Sequence, residues 1–241
     1  MKVVAVCWET KPRSREERGR LFRDDLSARI LSTGVEGLSF QVVDEHARVR
    51  SPSPFPLFGQ RPVAVVNVWT DAPDVVLDIL RSENFDVHAW RSEESVYRDY
   101  GDNAHAGPRD WSDGERSPGI TLVSLLERPR SLSTEEWLSR WHGVMSPVSE
   151  RIQPRTRYVR NHLVAPLTDG APGFEGLVEE CWPSPRHLTD PWLFYGATRL
   201  TDLARHMLAI VRAVHHCFWI WRVQSVVMSE YFVRTRGAET G

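Results

Sequence analysis

Two short stretches hold most of the side chains that could move a proton. In residues 157–163, Arg-Tyr-Val-Arg-Asn-His-Leu, the side chains of Tyr158, Arg160 and His162 alternate with those of Val159, Asn161 and Leu163. An extended strand puts these two sets on opposite faces. If the face of Tyr158 and His162 lines a cavity, a neutral imidazole there can take a proton from a carbon acid or a phenol. The tyrosine hydroxyl can then hold the resulting oxyanion. Asn161 points the other way by the same alternation and reads as a turn cap. In residues 174–182 the acids Glu179 and Glu180 are adjacent, so a strand sends one carboxylate away from the other. Both cannot serve as a paired acid and base; either alone could orient an imidazole or act as the acid/base itself in an apolar cleft. For each of these groups the competing role is packing, or ion pairing among the many arginines.

The element that must cover these strands is a helix beginning at Ser133 or Thr134. A hydroxyl there accepts orphan amide hydrogens while Glu135 and Glu136 face the positive helix end. Trp137, Trp141, Val144, Val148 and Ile152 then recur at spacings of four, three, four and four, one apolar stripe at helical period. His142 lies one residue off that stripe, at its border. Pro147 predicts a bend or interruption near Val144, because proline donates no amide hydrogen and crowds the preceding turn.

The rest of the chain shows the same grammar twice. Strands are predicted at 2–8, 38–43, 63–69 and 86–97, with helices at 14–31 and 73–81 and a loop at His46 to Pro62. Residues 101–118, rich in Gly, Pro and Asp, read as a linker. A strand at 120–127 follows, then the helix and two strands above, helical material from Leu188 to Cys217, and a last strand at 226–233. Each half is βαββαβ, the order of the ferredoxin-like unit, whose sheet leaves one apolar face to be covered. The expected fold is therefore α+β: two ferredoxin-like units, 1–100 and 119–236, whose sheets cover each other as an intramolecular barrel-like pseudo-dimer.

Composition narrows the function classes. The chain has 241 residues, 41% hydrophobic, with a formal charge of −2, which gives no footprint for nucleic acid or an anionic membrane. Three scattered cysteines argue against a disulfide framework and for a reducing cytoplasm. The apolar start, Met1 to Trp8, is too short for a signal or membrane segment. His206, His215 and His216 lack ligand spacing, so no metal is expected. There is no phosphate-binding glycine loop and no G-x-S-x-G elbow. Ten tryptophans favour a broad aromatic-lined pocket, or equally an interface.

The run Trp137-Leu-Ser-Arg-Trp141-His142-Gly-Val-Met145-Ser-Pro147-Val148, then Tyr158-Val-Arg-Asn161-His162 and Gly176-Leu-Val-Glu179-Glu180, resembles the EthD family of dimeric α/β-barrel proteins over roughly residues 120–234. In that family a histidine usually stands two residues before the proline; here that position is Met145. The resemblance implies a covalent version of a dimer, and relatives that act as cyclases, dehydratases, decarboxylases and cofactor-free monooxygenases on aromatic or polyketide-like molecules. The resulting expectation is a lyase or cyclase that needs no cofactor. His162, Tyr158, Glu180 and His142 would be catalytic, and Trp141, Met145, Asn161, Glu179 and Tyr231 would bind a small hydrophobic or aromatic substrate. The alternative is a non-catalytic hydrophobic-ligand binder or oxygenase accessory protein, which Met145 favours. A further homodimer of the tandem chain is a possible partner state.

Overall fold

Valine-rich strands close into one barrel. The computed structural model describes residues 1–53 and 60–237. Its strands are β1 (Lys2–Glu9), β2 (Gly37–Val42), β3 (Ala64–Trp69), β4 (Phe85–Arg98), β5 (Ile120–Leu126), β6 (Arg157–Pro166), β7 (Gly176–Trp182) and β8 (Gln224–Arg234). They are hydrogen-bonded in the circular order β1-β3-β2-β8-β5-β7-β6-β4. Every pairing is antiparallel. Within each half the order is fourth, first, third, second strand, and the halves join edge to edge through β2–β8 and β4–β6. The sheets thus meet at their edges as well as their faces, and closure removes every free strand edge.

The helices lie outside. Arg15–Arg20, Leu21–Leu26 and Ser27–Leu31 run on as α1, with a π-helical middle, and Pro73–Ser82 forms α2. In the second half Thr134–Arg140, Trp141–Met145 and Ser146–Ile152 form α3. The short helices α4 (Arg186–Thr189) and α5 (Pro191–Phe194) lead to α6 (Leu200–Cys217). Pro147 does not stop α3. Its missing donor is absorbed by the widened π turn Trp141–Met145 just before it. Of the predicted loop at 46–62, residues 54–59 lie outside the described residues. The connecting segment 101–118 is laid along β8 by Gly114 N to Phe232 O at 2.6 Å and Ser117 N to Glu230 O at 2.8 Å. Among the described residues no helix is long and apolar enough to cross a membrane.

Strand alternation divides the core in layers. Val4, Val6, Val65, Trp90, Leu177 and Met228 belong to the apolar filling of the barrel. Under α1 and α2 the outer face of the first half is filled by Phe22, Phe40, Phe85, Leu77 and Tyr231. Phe22 stands 5.5 Å from both Phe40 and Phe85.

The barrel interior also carries a polar layer. Glu179 is buried and accepts from Gln41 Nε2 at 2.8 Å, Asn161 Nδ2 at 2.9 Å and Asn67 Nδ2 at 3.2 Å. Arg157 Nη1 lies 3.6 Å from Glu179 and 2.9 Å from Glu230, while Lys2 Nζ donates to Asn161 Oδ1 at 2.7 Å and pairs with Glu94. Burial raises the Glu179 pKa against the pull of Lys2 and Arg157. These side chains come from β1, β2, β3, β4, β6, β7 and β8, so one carboxylate ties both halves together.

Glu179→Ala leaves buried donors without an acceptor and is expected to cost about 3–5 kcal/mol, read as a lower urea midpoint. Because the folded-state pKa of Glu179 is raised, its contribution is full below the ordinary 4.5 and is lost as pH rises through the folded value. Glu179→Gln should remove that component of the pH dependence; an unchanged pH profile would contradict it.

Candidate functional site

The outer face of the second half holds a cavity of about 240 Å³. Its floor is built by the same alternation that puts Glu179 inside the barrel. Tyr158 on β6 pairs with Glu180 on β7, and Glu180 with Leu122 on β5, so these three share one row across the sheet. The next row is Val178, Ser124 and Ser225. Trp141 and Met145 of α3 and Ile210 and Val214 of α6 close the other side.

The helix is seated by aromatic packing. Ser133 caps it, accepting from Glu136 N at 3.1 Å. Trp137 and Trp141, one turn apart, stand 5.0 Å from each other over Gly176. A Cβ at Gly176 would come within 3.0 Å of both rings, so only glycine allows so close an approach without displacement.

Two polar groups converge on the cavity. The Tyr158 hydroxyl lies 3.3 Å from Trp141 Nε1 and 3.3 Å from Ser146 Oγ. Burial pushes its pKa up, so it is a protonated donor at neutral pH. Glu180 accepts from Arg155 Nη1 at 2.6 Å through Oε1; its Oε2 makes no hydrogen bond among the described residues. Arg155 is buried, donates to Ser149 Oγ at 3.0 Å, and lies 3.9 Å from the Tyr158 ring centroid. Burial works against its charge, but Glu180, Tyr158 and Glu150 together outweigh it and hold the guanidinium protonated. One cation therefore positions both groups. Arg155 was not among the expected residues. Its only signal in the sequence is an arginine at a strand entrance opposite an acid.

Of the expected site residues, Tyr158, Glu180, Trp141 and Met145 meet in this cavity. His162 does not. It shares the outer face with Tyr158 but lies against Trp137, ring centroids 6.4 Å apart, with Nδ1 3.6 Å from Glu93. Trp141 lines the cavity and Trp137 fills the space towards His162. His142 also stands outside it, beside Trp141 at 5.2 Å. Asn161 is no turn cap; it is buried in the barrel with Glu179. Tyr231, on β8, packs into the core under the first half's helices instead, stacked on Phe40 at 5.1 Å and donating to Asp44 at 2.7 Å. Among the described residues no group of three or more His, Cys, Asp or Glu could hold a metal ion.

His142 is half-buried and its Nε2 has no partner. Burial first, then Arg160 and His162, lower its pKa to about 4 from the ordinary 6.5. A lowered histidine pKa contributes stability that is full above 6.5 and is lost as pH falls towards 4. An NMR titration of the imidazole resonances should show His142 neutral at pH 6; a midpoint near 6.5 would refute this environment.

No family model matches the sequence, and no curated protein matches it. Among solved structures the chain is similar to an anthrone oxidase-like protein, with a TM-score of 0.50 and 12% identity over 100% of this chain and 96% of that one. A chlorite dismutase from Candidatus Nitrospira defluvii aligns with a TM-score of 0.39 and 9% identity over 95% and 90% of the two chains. The first likeness is one of fold: an α+β chain around a closed antiparallel barrel, similar to the dimeric α/β-barrel proteins.

Proposed function

We propose that the chain is a covalently joined pseudo-dimer of ferredoxin-like units, 1–100 and 119–236 with 101–118 between them, and that its second unit is an EthD-like proton-transfer enzyme. The substrate is an aromatic or polyketide-like carbon acid or phenol, and the reaction is of the lyase or cyclase type. The observation that carries this is the pairing of Glu180 with Tyr158 on the floor of one apolar cavity. Glu180 Oε2 takes the proton. The Tyr158 hydroxyl donates to the oxygen on which negative charge develops, and Arg155 holds both in place. An apolar wall excludes water and holds a flexible skeleton in one pose, so orientation supplies much of the rate. The fold neighbour's description as anthrone oxidase-like is compatible, because oxidation of an anthrone can begin with loss of a proton from carbon.

Proton abstraction can be followed without knowing the natural product. Anaerobic hydrogen–deuterium exchange at the acidic ring carbon of anthrone, read by NMR, should be accelerated by the wild type. Glu180→Gln should lose about 10²–10⁴-fold of that acceleration while anthrone still binds. Tyr158→Phe should lose about tenfold or more. His162→Gln should exchange at the wild-type rate. Wild-type exchange by the Glu180 variant would sink the catalytic role. A second reading, a hydrophobic-ligand carrier or oxygenase accessory, is favoured by the absence of histidine among the described residues that line the cavity. It predicts tight anthrone binding with no accelerated exchange.

A further inference from the structure

A second cavity, of about 820 Å³, adjoins the first. Pro52 and Ser53 line both, and the two meet β8 at successive residues, Ser225 in one and Val226 and Val227 in the other. The chemistry changes at that boundary. The first cavity is walled by leucine, valine and aromatic side chains, whereas Arg13, Arg15, Arg18, Arg50 and Arg61 line the second with no carboxylate among the described lining residues.

Two of these arginines have structural work. Arg18 holds Glu9 through Nε at 2.8 Å and Nη2 at 2.7 Å and donates to Val43 O at 2.5 Å. Arg13 donates to Glu83 O at 2.5 Å and lies 4.0 Å from Glu9. Two others bear charge that no acid among the described residues offsets. Arg15 donates to the Ala47 carbonyl at 2.5 Å and has no ion pair among the described residues. Arg50 is exposed and has none among them either. Uncompensated guanidinium groups around a cavity are a match for the planar, bidentate acceptors of a carboxylate or phosphate.

The distance between the two chemistries sets the ligand's length. Tyr158 and Ser225 lie on the first and last of four successive strands, β6, β7, β5 and β8, which are about 14 Å apart at ordinary strand spacing. The arginines lie beyond that.

We propose that the two cavities form one bipartite site for an elongated amphiphile, its aromatic or polyketide-like body over Glu180 and Tyr158 and its terminal carboxylate or phosphate at Arg15 and Arg50. This rests on the apolar cavity being the ligand pocket. Its test keeps the two apart by comparing probes that share a body and differ in the tail.

The probes are 1-pyrenebutyrate, 1-pyrenebutyl phosphate and the neutral 1-pyrenebutanol, titrated by fluorescence against the full chain. At low salt the wild type should bind an anionic probe about tenfold or more tighter than the alcohol. The ratio should fall towards one in Arg50→Gln and further in Arg15→Gln/Arg50→Gln, and should shrink with added salt. Arg50 is exposed and has no partner to lose among the described residues, so its variant keeps the fold. Whichever anion gains more identifies the tail. Alcohol binding with no preference for either anion, or a preference that survives both substitutions, overturns the bipartite site alone. Failure of all three probes to bind overturns the apolar pocket and this inference with it.

Discussion

The buried polar layer around Glu179, set in a barrel otherwise filled by apolar side chains, sets the terms for the rest of the molecule. Glu179 is out of reach of water, so its oxygens must be satisfied by protein donors, and those donors stand on β2, β3 and β6. A buried charge of this kind is weak evidence for added stability but a strong constraint on register. A slip of one residue in any of those strands would remove a donor and invert the faces of every neighbour. Correct placement of Glu179 inside therefore guarantees Glu180 outside, facing the helices.

The two layers divide the labour of the fold. The interior is closed by packing and by the polar layer, so it offers a rigid frame rather than a container. The open cavity is instead found between sheet and helices, where walls come from α3 and α6 and can change without disturbing strand pairing. The π turn in α3 belongs to this arrangement. It accommodates Pro147, and Ser146 at its end donates to Trp141 O at 3.0 Å and meets the Tyr158 hydroxyl. The shape of the helix thus reaches the polar groups on the floor.

Much of this was legible in the residues. The βαββαβ order, the helix under Trp137 and Trp141, and the opposite sense of Glu179 and Glu180 all follow from local period and alternation. Which face of β6 is internal does not, because both faces of a barrel strand are buried and both read as mixed polar and apolar. That ambiguity is why alternation alone makes Asn161 a turn cap and gives His162 the same claim to the cavity as Tyr158. The signals for the interior layer were single polar residues in valine-rich strands, Asn67 in Ala-Val-Val-Asn-Val-Trp and Gln41 in Leu-Ser-Phe-Gln-Val. Their meaning depends on partners more than a hundred residues away. Arg155 was invisible for the same reason: its role is defined by Glu180 and Tyr158 in space, not by spacing in the chain.

The packed outer face of the first half has a consequence for stoichiometry. In an assembly of two identical units each sheet would carry the same cleft, and occupation of one could bias the other. Here Phe22, Phe40, Phe85 and Tyr231 occupy the space under α1 and α2 that corresponds to the cavity under α3 and α6. The outer face of the first half is thus solid support, and the cleft lies on the outer face of the second. A ligand held in that cleft alone would saturate along a simple hyperbola, and substitutions in the packed layer under α1 and α2 would act on the cleft through the shared barrel.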